Sequence, residues 1–299
     1  MTILELIEAS ALQLTEAGVA FGHGTTNAFD EAAWLVLWQL GLPLDTALDG
    51  AADAPEFIAN RAVAPAEHAQ VASLLIARIN TRKPAAYLTQ EAWLQGVPFY
   101  VDERAIVPRS LIAEVLVSGG IDYWLSERTH HVLDLCTGNG SLAVLAAMTY
   151  PDVTVDASDI SADALAVARI NVDKHQFQDR ITLLCADGLA GVNGPYDLIV
   201  CNPPYVNAES MAALPAEYQA EPALALSGNA HGGSDGMDFI RQLLKDAPQH
   251  MSEKAVLVLE IGNEQAHFEA AFPKLETIWL ETSAGEEQVL LLTRAALIA

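Results

Sequence analysis

The 299-residue sequence predicts an α/β protein: a largely parallel, doubly wound sheet ending in an antiparallel strand pair, preceded by a small helical domain. Three observations predict it. From residue 131 onward, nearly continuous apolar runs of strand length alternate with helical segments, the pattern of a parallel sheet buried on both faces. Over the first eighty or so residues the apolar positions keep helical spacing and no strand signal interrupts them. Near the end, LETIWLE and QVLLLTR are separated only by TSAGEE, which predicts an antiparallel pair.

The elements follow in order. MTILELIEAS reads as an amphipathic helix and lacks the positively charged start of a signal peptide. EAAWLVLWQLG, residues 31–41, is apolar nearly all round, as a helix inside a small bundle would be. Between Pro65 and Arg82, Val71, Leu74, Leu75 and Ile79 recur at steps of three and four, with Pro65 placed in the first turn. In AWLQGVPFYV, residues 92–101, the period changes to two short strand-like runs around Gln95-Gly96, which predicts a hairpin between two domains. The strands HVLDLC, TVDASD, ITLLCAD, YDLIVCN and AVLVLEI then build the sheet, with a helix near 237–247 before the last of them. The predicted organisation is a helical domain over 1–88, a hairpin linker over 89–107 and a catalytic domain over 108–299.

Composition narrows the function classes. The formal charge is −24, with 39 acidic against 15 basic residues, and 13 acidic and 5 basic of them fall before residue 108, so neither half offers a phosphate-binding face. No Lys/Arg run appears, which argues against nucleic-acid binding and fits either general solubility or a basic protein partner. Cys136, Cys185 and Cys201 all lie in or beside apolar strand-like runs and read as buried, reduced residues. The eight histidines show no metal-binding spacing, so no metal is expected. No apolar run is long enough to span a bilayer, and a cytoplasmic location is expected.

The chemistry sits at strand ends. DLCTGNGSLAVLA, Asp134 to Ala146, follows the first strand of the sheet and opens a helix, where a small-residue turn lets a cofactor approach backbone N–H groups. Only Gly138 and Gly140 are present, so the three-glycine dinucleotide fingerprint is missing and hydride transfer is disfavoured. Asp159 ends the second strand, 19 residues beyond Gly140, where an acid can accept hydrogen bonds from ribose hydroxyls; it also suits a helix start. Asp187 ends the third and could meet an exocyclic amine. Asn202-Pro203-Pro204-Tyr205 ends the fourth: both prolines lack an N–H and hold the chain extended, leaving a cluster of acceptors for a ligand with two hydrogens on one nitrogen. All four candidates gather at one sheet edge, where open α/β sheets bind ligands.

In this order of motifs the sequence resembles the class I S-adenosylmethionine-dependent methyltransferases that act on amino nitrogens, and within them the HemK/Prm family of protein-glutamine methyltransferases. Finer likeness runs through GHGTTNAFDEAAWLVL (22–37), VPRSLIAE (107–114), DLCTGNGSLA (134–143), NPPYVNAESMAALPAEYQAEP (202–222) and DGMDFIRQLL, and points to the branch acting on ribosomal protein uL3. The resemblance implies a Rossmann-like catalytic domain, a helical domain that presents the protein substrate, and S-adenosyl-L-methionine as cofactor. It implies cofactor contacts from Asp134, Cys136, Thr137, Gly138, Asn139, Gly140, Asp159, Asp187 and Asn202. It implies that Asn202 and the Pro203 carbonyl accept the glutamine amide hydrogens while Tyr205 packs on the amide plane, with Pro204 and Arg109 also meeting substrate. Arg109 could equally meet the cofactor carboxylate or form a surface ion pair, and Glu114 rests on the resemblance alone. Three departures stand out: Cys136 occupies a position that is glycine in the general motif, Leu111 replaces a proline, and SGNAHGGSDG, residues 227–236, is longer than usual and reads as a flexible connector capped by Ser234 or Asp235. The rivals are the release-factor branch, adenine-specific DNA methyltransferases with a similar Asn-Pro-Pro-Tyr site, and a non-catalytic assembly factor that binds a basic ribosomal protein.

Overall fold

A computed structural model describes residues 1–48 and 57–299. Residues 49–56 of the expected helical domain lie outside the described residues. The described chain forms two compact units: Met1–Glu91 together with Pro215–Ala220, and Ala92–Leu214 together with Glu221–Ala299.

The first unit contains helices α1 (Ile3–Glu16), α2 (Ala28–Gln39), α3 (Pro65–Thr81) and α4 (Ala85–Thr89). Thr2 and Glu5 close a capping box at the start of α1, and Asn27 caps α2 by accepting the Asp30 N–H. Every residue of α2 from Glu31 to Leu37 is buried, which is why its sequence shows no polar face. In α3 the buried positions are Val71, Leu75 and Arg78; the arginine, wholly inaccessible, sits on the core face of an otherwise ordinary amphipathic helix.

The second unit opens with strands β1 (Ala92–Leu94) and β2 (Val97–Phe99), joined through Gln95 (φ 51°) and Gly96 (φ 73°). Two successive positive φ angles make this the mirror-image turn that matches strand twist, explaining the Gln-Gly pair. Leu94 and Phe99 are buried in this unit's core, so the hairpin belongs to the second unit. Helix α5 (Ile112–Val117) leads into β3 (His131–Leu135), α6 (Ser141–Thr149), β4 (Thr154–Asp159), α7 (Ala162–Lys174), β5 (Ile181–Cys185) and β6 (Tyr196–Cys201). Short helices α8 (Ala208–Ala213) and α10 (Ala223–Leu226), separated by α9 (Ala216–Gln219) of the first unit, precede α11 (Asp238–Asp246) and β7 (Met251–Glu260). Helix α12 (Gln265–Ala271), β8 (Ile278–Thr282), β9 (Gly285–Thr293) and α13 (Arg294–Ile298) complete the chain.

The sheet order is β5-β4-β3-β6-β7-β9-β8, parallel from β5 to β7, with β9 antiparallel to both of its neighbours. Side chains alternate between two cores with period two. Val132, Val155, Leu198, Val200, Val256, Val258 and Leu291 face α5 and α6, while Leu133, Leu135, Ile199, Leu257, Leu259 and Leu292 face α11 and α12. The chain runs outward from β3 to β5, then returns to place β6 on the other side of β3. The crevice beyond the carboxyl ends of β3 and β6 is therefore the topological switch point, the place where open sheets bind ligands.

Two sequence expectations need correction. Of the three cysteines only Cys201 is buried; Cys136 is half-buried and Cys185, at the sheet edge on β5, is exposed. The 227–236 segment is a pinned loop: Gly228 N donates to Val206 O, Asn229 bridges Val206 O and Gly236 N, and the Asp238 carboxylate accepts from His231 N and Gly233 N. Three of its glycines are there for close packing: a Cβ on Gly236 would lie 2.0 Å from Tyr205 O, one on Gly228 2.1 Å from Gly236 O and one on Gly233 2.3 Å from the Asp238 carboxylate. Among the described residues no helix is long and apolar enough to cross a membrane, and no cluster of three metal-ligating side chains occurs.

Candidate active site

The turn after β3 is organised by a buried acid. Asp134, with no exposure, accepts hydrogen bonds from Thr137 Oγ1 and Ala143 N, tying the strand end to the first turn of α6. Burial pushes its carboxyl up to about 7 against the lowering effect of those two donors. Thr137 N donates to Ser158 O, and Asn139, itself buried, meets the side-chain amide of Asn171 through its carbonyl at 2.8 Å. These residues shape the turn; Gly138 and Cys136 are the parts of it that face the cavity. Cys136, Gly138 and Gly140 all have positive φ, 62°, 56° and 80°, which accounts for the usual glycine at the position of Cys136: a side chain there strains the backbone. At Gly140 a Cβ would also press on Ala168 Cβ at 3.1 Å, so α7 can pack closely beneath the turn.

Asp159, the last residue of β4, accepts Gly138 N at 2.9 Å through Oδ2 and Ser161 N at 2.8 Å through Oδ1. Burial raises its carboxyl above the usual range, and the backbone donors oppose that shift. Asp187 lies two residues past the end of β5, because that strand stops at Cys185. Cys136, Gly138, Asp159, Asp187, Asn202 and Pro204 line one cavity. Asp134, Thr137, Asn139, Gly140, Pro203, Tyr205 and Arg109 do not line it. The sequence reading missed the apolar walls supplied by Ile160, Leu224 and Phe239, and the pinned loop that brings Ala230 and His231 to the same cavity. The isoleucine directly after Asp159, which the structure leaves 49% exposed beside the cavity, is the residue a sequence reading could have singled out.

The cavity fits an adenosine-bearing cofactor. Asp159 is an acceptor for a ribose diol, the apolar walls suit a purine, and Ser158 Oγ, fully buried and without a partner among the described residues, leaves a polar atom at the cavity wall.

Asn202 follows Cys201 directly, half-buried, and its side-chain amide is committed to no hydrogen bond among the described residues. Pro203 is buried and Tyr205 half-buried. Burial first, and then the neighbouring Glu260 charge, hold the Tyr205 hydroxyl well above the ordinary tyrosine range. Arg109 makes a bidentate pair with Glu221, at 2.6 and 2.8 Å, and Glu221 also accepts Val107 N; the arginine is thus engaged in holding the chain that follows the acceptor loop, residues 202–207. Glu114 accepts from Ser283 N and Oγ at the surface and does not line the cavity.

Within the first unit, Arg78 donates to Glu31 Oε1 at 2.8 Å, Glu217 Oε1 at 3.2 Å and Ala20 O at 2.9 Å. Tyr218 lies against His23 with ring centroids 4.2 Å apart, and a Cβ on Gly22 would meet the Tyr218 hydroxyl at 2.1 Å. GHGTTNAFDE (22–31) and PAEYQA (215–220), far apart in sequence, therefore pack together within the first unit.

Residues 121–228 match the family model described as Methyltransferase small domain. The chain is 50% identical to the ribosomal protein uL3 glutamine methyltransferase of Bordetella pertussis, over 99% of its own length and 96% of that protein. It is 48% identical to the protein of that name from Burkholderia pseudomallei, over 100% of this chain and 96% of the relative, and 46% identical to that of Neisseria gonorrhoeae, over 99% and 96%. Among solved structures, the hMettl16 catalytic domain in complex with an RNA hairpin superposes with a TM-score of 0.51 at 13% identity, covering 77% of this chain and 81% of that one, which shows a shared fold. With relatives this similar over nearly the full length of both partners, the chain belongs to the family of ribosomal protein uL3 glutamine methyltransferases.

Proposed function

We propose that this protein methylates the side-chain amide nitrogen of a glutamine in ribosomal protein uL3, using S-adenosylmethionine. Held by Asp159 and the Gly138 turn, the cofactor would supply an electrophilic sulfonium methyl for a new nitrogen–carbon bond, the carbon–sulfur electron pair being left on sulfur and one proton being lost from the amide nitrogen. A glutamine amide is a weak nucleophile because its lone pair is delocalised into the carbonyl, so the protein must act through placement. Asn202 Oδ1 and the Pro203 carbonyl accept the two amide hydrogens and aim the nitrogen into the cavity, while Tyr205 flanks the amide plane. Alignment of two reactants can supply on the order of 7–11 kcal/mol. As positive charge develops on nitrogen, fixed acceptors favour it, and two successive prolines remove the N–H donors that would compete.

At the cofactor end, Asp159 would receive the ribose hydroxyls, and Ile160 and Phe239, which line the same cavity, would offer apolar surface to the base. Asp134, Thr137 and Asn139 keep the turn in shape beneath it. The net charge of −24 suits a basic ribosomal protein and opposes a nucleic-acid substrate.

The observation that carries this reading is the uncommitted Asn202 amide at the switch point, in the same cavity as Asp159. Asn202→Ala tests it: transfer to uL3 falls at least about 100-fold while S-adenosylmethionine binding measured by calorimetry changes only a few-fold. Undiminished transfer in this variant would refute it.

A further inference from the structure

The acceptor loop is gripped by a segment that the reaction itself does not use. β7 ends at Glu260, and the chain then turns tightly, with Ile261 N donating to Gln288 O and Glu264 N to Ile261 O. Glu260 is only 4% exposed and accepts from Ser110 Oγ and Leu111 N at 2.5 and 2.9 Å, which fixes the strand end against the chain leading into α5. Gly262 has φ +52°, and a Cβ there would stand 2.6 Å from Tyr205 Cε2 and 2.9 Å from Cζ and the hydroxyl oxygen. The ring edge of Tyr205 thus lies directly on the Gly262 backbone. Two residues on, Glu264, 6% exposed, accepts Asn207 Nδ2 through both carboxylate oxygens, at 2.8 and 3.0 Å, and Asn207 N at 3.3 Å. Asn207 in turn caps α8 by accepting Ser210 N. Residues 205 and 207 are held from this side and residue 206 from the pinned loop, while among the described residues the Asn202 side chain and the Pro203 carbonyl are left uncommitted.

We propose that residues 260–264 form a positioning seat for the acceptor loop, in which Gly262 sets the lie of the Tyr205 ring and Glu264 anchors Asn207. The inference rests on the proposed glutamine methylation and deepens it: the seat fixes the direction in which the loop offers its acceptors to the planar amide. None of 260–264 lines the cofactor cavity, so the seat acts on the acceptor side alone. A ring lying on backbone cannot be displaced by a flexible side chain giving way, so one added methyl at 262 must move the ring itself. Displacements of about 1 Å can lower a rate 100-fold where alignment carries catalysis.

Wild type, Gly262→Ala, Tyr205→Ala and the Gly262→Ala/Tyr205→Ala pair are compared for kcat and KM on full-length uL3, with calorimetric S-adenosylmethionine binding. The seat predicts that Gly262→Ala lowers kcat roughly 100-fold with cofactor affinity within about two-fold, and that in the Tyr205→Ala background the same change has little further effect, because the ring it displaces is gone. Wild-type kcat in Gly262→Ala, or a full additional loss in the pair, would overturn it. Should the strained alanine prevent folding, Glu264→Ala and Glu264→Gln carry the test: the first lowers kcat, and the second, which keeps an amide oxygen for Asn207, recovers much of it. An unchanged kcat in Glu264→Ala, or equal loss in both, would overturn the seat. Absence of any transfer by the wild type would instead overturn the reading of function, and with it the seat.

Discussion

Replacing Arg78 by methionine should destabilise the helical unit by about 3–5 kcal/mol, the range for breaking a buried ion pair by removing one partner. The structure indicates which charge bears the loss. Arg78 has no exposure and contacts Glu31, Glu217 and Ala20 O, so water cannot replace it. Glu217 keeps a second cation, Arg82 Nε at 3.0 Å, whereas Glu31 keeps the neutral Thr25 hydroxyl at 3.4 Å and the neighbouring His23 imidazole but no arginine among the described residues. The uncompensated group is therefore Glu31, and Arg78→Met/Glu31→Gln should recover most of the loss. Burial already holds the Glu31 carboxyl above its ordinary value even beside Arg78. Without the arginine it rises further. A carboxyl raised in the folded state stabilises below its unfolded value, and that contribution disappears as pH rises through the folded value, so the Arg78→Met deficit should be small near pH 4.5 and grow toward neutrality. Native-state hydrogen exchange on α2 and α3 reads the local free energy without requiring the whole chain to unfold in one step. A loss under about 1 kcal/mol, or no recovery with Glu31→Gln, would refute the reasoning.

Gly140→Ala should lower the stability of the catalytic unit by roughly 1–2 kcal/mol, from the left-handed backbone alone, and weaken S-adenosylmethionine binding, since the added methyl also meets Ala168; urea unfolding and calorimetry check both. Asp134→Asn should change the pH dependence of melting: the buried carboxyl, pushed up to about 7, stabilises fully below pH 4 and loses that contribution as pH rises to 7, so the variant gains on the wild type across that window and runs parallel above it. A constant gap from pH 4 to 8 would refute this.

What the sequence disclosed and what it concealed divide by range. The strands were legible because each inner residue faces a core, as the alternation of Val132 and Leu133 or Val258 and Leu259 between two layers shows. The cavity was legible because strand ends, a small-residue turn and a switch point are local features, and Cys136, Gly138, Asp159 and Asn202 do meet. Asp187 was misplaced by two residues because the chain leaves β5 before the polar residue arrives. Arg78 was illegible: one arginine in an amphipathic helix looks solvated until Glu31 and Glu217, 47 and 139 residues away, close around it. The glycines of 227–236 looked like slack because close approach to Val206 and Tyr205 cannot be read from composition. Likewise EIGNE at 260–264 looked like an ordinary strand end, since its partners, Ser110, Tyr205 and Asn207, are 57 to 150 residues distant in the sequence.

The most direct test is to incubate the purified protein with isotopically labelled S-adenosylmethionine and, in parallel, uL3, a peptide-chain release factor and adenine-containing DNA, then to locate the label by peptide mass spectrometry. Label on a glutamine side-chain amide of uL3, absent with Asn202→Ala, is the predicted result. Label on the release factor or on DNA in place of uL3 would contradict it.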